Sequence, residues 1–219
     1  TRYEAVTGVQ TCALPICLAV GTPVIAGGGD QAAGGVGTGI VRPGVISSTI
    51  GTSGVIFAFS ERPSLDPQGR VHTFCHAVPG KWHVMGVTQG AGLSLRWFLD
   101  NFGAAEVSVG RWTGRDPYEL LAAEAAEVPA GSEGLLWLPY LMGERTPHLD
   151  AHARGVLFGF TARHDRRHVI RAILEGVAFS LRDSLEILRE MQVPIAEVRL
   201  SGGGARSPLW RQIQASVFN

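Results

Sequence analysis

The chain has 219 residues, of which 45% are hydrophobic and 17% charged, with 19 basic side chains balancing 19 acidic ones. This composition suits a globular domain with one substantial core and excludes disordered and fibrous classes. With no net charge, no cluster of Lys or Arg, no apolar run of bilayer length and no signal-peptide pattern, neither a nucleic-acid nor a membrane partner is expected, and the chain reads as a cytoplasmic protein that handles small molecules.

Residues 1–17, TRYEAVTGVQTCALPIC, have neither periodicity nor continuity with the text that starts at Leu18, and are set aside as a non-native or disordered leader. That removes Cys12 and Cys17 and leaves Cys75 as one buried thiol, too few for a disulfide framework. An apolar run at 23–26 enters the cluster Gly27-Gly28-Gly29-Asp30, and Asp30 opens a small-residue stretch readable as a glycine-weakened helix or a close-packed turn. Runs at 45–50 and 55–59 flank Gly51-Thr52-Ser53-Gly54, and runs at 71–78 and 82–87 flank Pro79-Gly80-Lys81, which predicts two hairpins. Helical spacing then places Leu93, Trp97 and Phe98 on one face, with Gly103 as terminator, and a second helix falls at 117–127.

A strand is predicted at 135–141, followed by the polar loop 143–148. The strongest periodicity in the chain, Val169, Ile170, Ile173, Leu174, Val177, Leu181, Leu185 and Leu188, predicts a long core-facing helix. Gly176 inside it is tolerable where another backbone packs closely. A strand at 197–201 feeds Gly202-Gly203-Gly204-Ala205, and Pro208 suits the first turn of a helix beginning near Ser207.

Three glycine-rich stations sharing one acid, Asp30, suggest a polyphosphate site that faces a carboxylate. Glycine lets amides approach phosphate, and no other carboxylate follows Asp30 until Glu61. Each part has a plainer reading: Asp30 as a helix cap, the other two stations as turns. Gly27, Gly29 and Ala32 also fit a loose dinucleotide fingerprint, but Asp30 would repel the pyrophosphate and the acid expected about 20 residues further on is missing. His72 and His76 share one face of a strand and invite a zinc reading, but Cys75 points to the opposite face. Glu144 and Arg145 read most simply as an ion pair on a loop, and otherwise as part of a cleft wall.

From Leu18 to Asn219 the chain resembles the FGGY carbohydrate kinases in their C-terminal domain. The resemblance is carried by GTPVIAGGGDQAAGGVGTG, IGTSGV, HTFCHAVPGKWHVMGV, LPYLMGERTPH and LSGGGARSPLWRQI, in that order. It extends to the spaced set Gly155, Leu157, Gly159, Phe160, His168, Val169, Ala172, Ile173, Leu174 and Glu175. The resemblance implies an α/β, actin-like ATPase (ribonuclease H-like) fold with ATP, accompanied by Mg2+, and a sugar in a cleft between two domains. It makes Asp30 the catalytic base and sugar contact, with its carboxylate in the same hollow as the triphosphate. Gly51, Thr52 and Ser53 become the turn facing the γ-phosphate, Gly92 a nucleotide contact, and Gly202, Gly203 and Ser207 the adenosine loop.

The Gly-Gly-Gly-Asp-Gln-Ala-Ala form and His-Thr-Phe-Cys-His favour xylulose over glycerol, gluconate or ribulose. Residues 18–219 then read as a partial C-terminal domain, separated from the N-terminal kinase domain that supplies most sugar contacts and inactive by itself. A homodimer is compatible with this reading. The rival from another class is an actin-like nucleotide-binding module whose output is conformational.

Overall fold

The structure, a computed structural model, describes residues 27–219. The expected leader at 1–17, its two cysteines and the apolar run at 23–26 lie outside the described residues.

The β-branched and aromatic runs form both expected hairpins. β1 (Gly44–Ile50) pairs antiparallel with β2 (Gly54–Ser60), and β3 (His72–Cys75) pairs antiparallel with β4 (Trp82–Thr88). β3 ends at Cys75 because the chain turns there: the His76 amide donates to the Lys81 carbonyl (2.8 Å) and the Val78 amide to His76 Nδ1 (3.0 Å). β7 (Ile195–Gly202) runs parallel to β1 and completes a sheet of order β3-β4-β2-β1-β7. Three of its four pairings are antiparallel, which rules out the parallel dinucleotide fold considered for Gly27, Gly29 and Ala32.

α1 (Asp30–Gly37) resolves the small-residue stretch as a helix, with Gly29 at its N-cap. α2 (Ala91–Phe102) stops at Gly103 as its sequence predicts, and α3 (Ala104–Thr113) follows at once. The sequence reading lacks α3 because the helix has no apolar stripe: its buried residue is Glu106, while Trp112 is exposed. α4 (Pro117–Ala126) starts on an Asp116 cap that accepts from the Tyr118 amide (2.9 Å). The strand expected at 135–141 is shorter: β5 (Leu136–Leu138) pairs with β6 (Val156–Phe158) in a separate two-stranded sheet. α5 (Arg166–Glu190) begins at a capping box built by Asp165 and His168, and α6 (Pro208–Phe218) begins with Pro208 in its first turn.

Strand alternation divides the core. Ile46, Ile50, Ile56, Ala58 and Val84 face α2, α5 and α6, where Leu181 and Leu185 are fully buried. Val45, Val55, Phe57, Phe59 and Val87 form, with Ile40, a smaller cluster on the opposite face, against which α1 lays Gly35. Gly176 of α5 lies against the Trp137 backbone, the close approach its sequence setting calls for. Cys75 is exposed, not buried as expected, because β3 is an edge strand.

Candidate functional site

Parallel neighbours in a sheet release their following loops from the same edge, and this is what brings two of the glycine stations together. Ile50 pairs with Gly202 at the end of the β1–β7 ladder, so Gly51-Thr52 and Gly203-Gly204 emerge side by side. The start of α2 joins them: the Gly92 amide donates to the Gly51 carbonyl (2.9 Å) and the Leu93 amide to the Thr52 carbonyl (3.0 Å). A side chain at Gly92 would overlap the Gly51 carbonyl, and Gly202 combines a φ of 76° with the same conflict at the Ile50 carbonyl. Glycine is therefore required by the close approach of backbones at both positions.

These segments form one end of a cavity of about 890 Å³, on whose wall lie Gly51, Thr52, Gly92, Gly203 and Ser207. Most of the remaining wall is apolar, made by Leu95, Ala122, Ala123, Ala126, Leu174 and Trp210, with the charged side chains of Arg96, Asp116, Glu119 and Arg206 also on it. Trp210 is held in place by its indole N–H, which donates to the Leu174 carbonyl (2.9 Å), and Ser207 caps α6 by accepting from the Trp210 amide (3.3 Å). A mostly apolar cavity with a backbone-rich glycine end and a few charged side chains has the size and character of a small-ligand site. The wall supplied by α4 is absent from the sequence reading. Its only signal there is the grouping of small residues at Ala122, Ala123 and Ala126, which carries no chemistry of its own.

Of the other expected site residues, Gly202 stands one step behind the wall, and Ser53 closes the turn by accepting the Gly51 amide at its carbonyl (2.9 Å). Asp30 does not line the cavity. It is the first residue of α1, exposed, accepting a bond from the Gln31 amide (2.8 Å) and forming no ion pair among the described residues.

The histidines do not make a metal site. No group of three or more His, Cys, Asp or Glu able to hold a metal occurs among the described residues. His72 Nε2 meets the Arg145 guanidinium (2.6 Å), whereas His76 packs between Phe57 and Phe59. Burial lowers the pKa of His72, His76 and His83, the last to about 4, with the nearby His76 adding to the effect. The ion pair expected between Glu144 and Arg145 is also absent. Arg145 turns to His72, and the buried Glu144 carboxylate accepts from the Thr88 hydroxyl and from the backbone amides of Gln89 and Arg145.

Comparison with known proteins agrees with this architecture. Residues 46–219 match the FGGY family of carbohydrate kinases, C-terminal domain. The solved xylulose kinase from Rhodospirillum rubrum superposes with a TM-score of 0.77 at 33% identity, over 95% of this chain and 40% of that one. This chain is 43% identical over 198 residues to a xylulose kinase of Bacillus subtilis (strain 168), covering 90% of this chain and 38% of that protein. It is 38% identical over 215 residues to a gluconokinase of the same strain, covering 95% and 42% respectively. The fold is that of the actin-like ATPases. The chain belongs to the FGGY carbohydrate kinases, and it spans about two fifths of the length of the relatives it matches.

Proposed function

We propose that this chain is the nucleotide-binding part of an ATP-dependent sugar kinase that phosphorylates a pentulose, with D-xylulose as substrate and D-xylulose 5-phosphate as product, working with an N-terminal kinase domain. The observation that carries the reading is the convergence of the Gly51-Thr52 turn, the start of α2 and the Gly203–Ser207 loop on one cavity. Its apolar wall suits a nucleobase between the alanines of α4 and the ring of Trp210, and its glycine end suits phosphates. Magnesium would accompany the triphosphate: without a side-chain cage among the described residues, phosphate oxygens and water would supply its ligands, the usual way this ion binds nucleotides. Its charge would offset that of the phosphate oxygens.

Phosphoryl transfer to an alcohol has a loose, in-line transition state, so the protein's contribution is chiefly position and charge. Thr52 faces the γ-phosphate. Asp30 takes the proton from the terminal sugar hydroxyl as its oxygen bonds to the γ-phosphorus and ADP departs. An exposed carboxylate without a cationic partner among the described residues suits that role, because nothing here neutralises it.

Asp30→Asn in the complete two-domain enzyme is expected to lower kcat by about two to four powers of ten with ATP affinity nearly unchanged. Retained turnover overturns the base assignment. A second sugar, gluconate, is favoured by the similarity to a gluconokinase, and a substrate panel of xylulose, ribulose, glycerol and gluconate separates the two readings.

A further inference from the structure

The loop that follows β5 contains a buried carboxylate that the phosphoryl-transfer scheme does not use. Glu144 is 3% exposed and has no Lys, Arg or His partner within ion-pair distance among the described residues. Burying a carboxylate without a cation is costly, and hydrogen-bond donors must compensate. Three do so here. Oε1 accepts from the Gln89 amide (2.8 Å) and from its neighbour's amide at Arg145 (2.7 Å), while Oε2 accepts from the Thr88 hydroxyl (2.6 Å). The Thr88 hydroxyl in turn accepts from Ser180 of α5 (2.9 Å), so the carboxylate ends a chain anchored in the most deeply packed helix.

Thr88 is the last residue of β4, and Gln89 is the first of the two residues, Gln89 and Gly90, that connect it to the start of α2. The same loop grips β4 a second time, through Thr146, whose amide donates to the Val87 carbonyl (2.9 Å) and whose hydroxyl accepts from the Val87 amide (3.1 Å). Gly90 lies against the Pro139 carbonyl, leaving no room for the connection to shift in that direction. Two residues further on, the Gly92 and Leu93 amides hold the carbonyls of Gly51 and Thr52. Hydrogen bonds thus link Ser180 through Thr88 and Glu144 to Gln89, and from there the backbone leads to Gly92, whose amide bonds the turn that faces the cavity.

We infer that Glu144 is a positioning residue for the phosphate end of the nucleotide cavity: it fixes the β4–α2 connection, and through it the placement of the Gly51-Thr52 turn. The inference rests on the nucleotide reading given above. Glu144 does not itself line the cavity, so its removal acts on the part of the ligand held by the turn and spares the part held by α4 and Trp210. The effect belongs to the γ-phosphate, not to the nucleoside.

The test is the ratio of dissociation constants for AMP and for a non-hydrolysable ATP analogue, measured in the complete two-domain enzyme by titration calorimetry. Glu144→Ala is expected to lower that ratio at least tenfold, with the AMP constant changing less than about threefold, the loss of one buried charge-assisted contact set. Two further variants separate reach from charge. Glu144→Asp keeps the charge but withdraws the carboxylate from Gln89 and Thr88, and is expected to behave like Glu144→Ala; it also serves if Glu144→Ala does not fold. Glu144→Gln keeps an oxygen where Oε1 accepts both amides, and is expected to restore most of the ratio.

An unchanged ratio in folded Glu144→Asp overturns the inference, as does a parallel loss of AMP and ATP-analogue affinity, which would mark a general structural role. Failure of the unsubstituted enzyme to bind either nucleotide overturns the nucleotide reading itself and this inference with it.

Discussion

The two faces of the five-stranded sheet are built to different standards. On one, α5 buries leucine, isoleucine and valine along its whole length against Ile46, Ile56 and Val84, and α2 and α6 pack beside it. On the other, a cluster of six buried apolar residues is backed by two buried histidines and by α1, a helix of eight residues with three glycines. The first face supplies part of the cavity wall from its core, since Trp210 and Leu174 belong to both. The second carries Asp30 at the end of a weak helix. Binding surface and proposed base thus stand on supports of unequal strength, which matches a division of labour between holding a nucleotide and meeting a second substrate.

The sharpest way to break this comparison is to weaken the strong face. Leu181 is fully buried in α5, and Leu181→Ala is expected to cost about 2–5 kcal/mol in urea unfolding, the range for a buried leucine truncated in a close-packed core. A loss below 1 kcal/mol would mean that this face is not the principal core.

The second prediction concerns acid. His83 is 4% exposed with Nδ1 unpartnered, and its pKa is lowered to about 4 by burial, so the folded state holds it neutral. The unfolded chain takes up that proton near pH 6.5, and therefore binds more protons than the folded chain between pH 6.5 and 4. Stability is full above pH 6.5 and falls as the pH drops through that window, by up to about 3 kcal/mol from this group. His83→Phe preserves the stacking on Phe57 and should flatten that part of the stability–pH curve. An identical curve for the variant would contradict it.

Smaller still is the effect of Gly35→Ala. A Cβ there would come within 2.7 Å of the Phe57 ring, and overpacking of about 1–3 kcal/mol should outweigh the roughly 1 kcal/mol gained in helix propensity. Net stabilisation would show that α1 is free to move away from the sheet.

Much of the first face was legible in the sequence, because its chemistry is periodic. The spacing of Val169, Ile173, Val177 and Leu181 is that of a core-facing helix, and Gly51 and Ser207 advertise a turn and a helix start, whereas Gly92 entered through the family resemblance. α3 and the α4 wall were not legible for the opposite reason. Glu106 is buried by pairing with Arg166 (2.9 Å), a contact between distant segments, and alanines look the same whether they pack or line a cavity. Adjacency misled at Glu144 and Arg145: side chains of neighbouring loop residues diverge, and each found a partner far away in sequence, Thr88 and His72.

The central claim is that the cavity between α4, Trp210 and the glycine loops takes the nucleotide. Ala123 is exposed on its wall, so Ala123→Phe fills the space without disturbing the core. In the complete enzyme this variant should raise the dissociation constant for ATP at least tenfold, about 1.4 kcal/mol or more, with an unchanged melting temperature. An unaltered ATP affinity would place the nucleotide elsewhere.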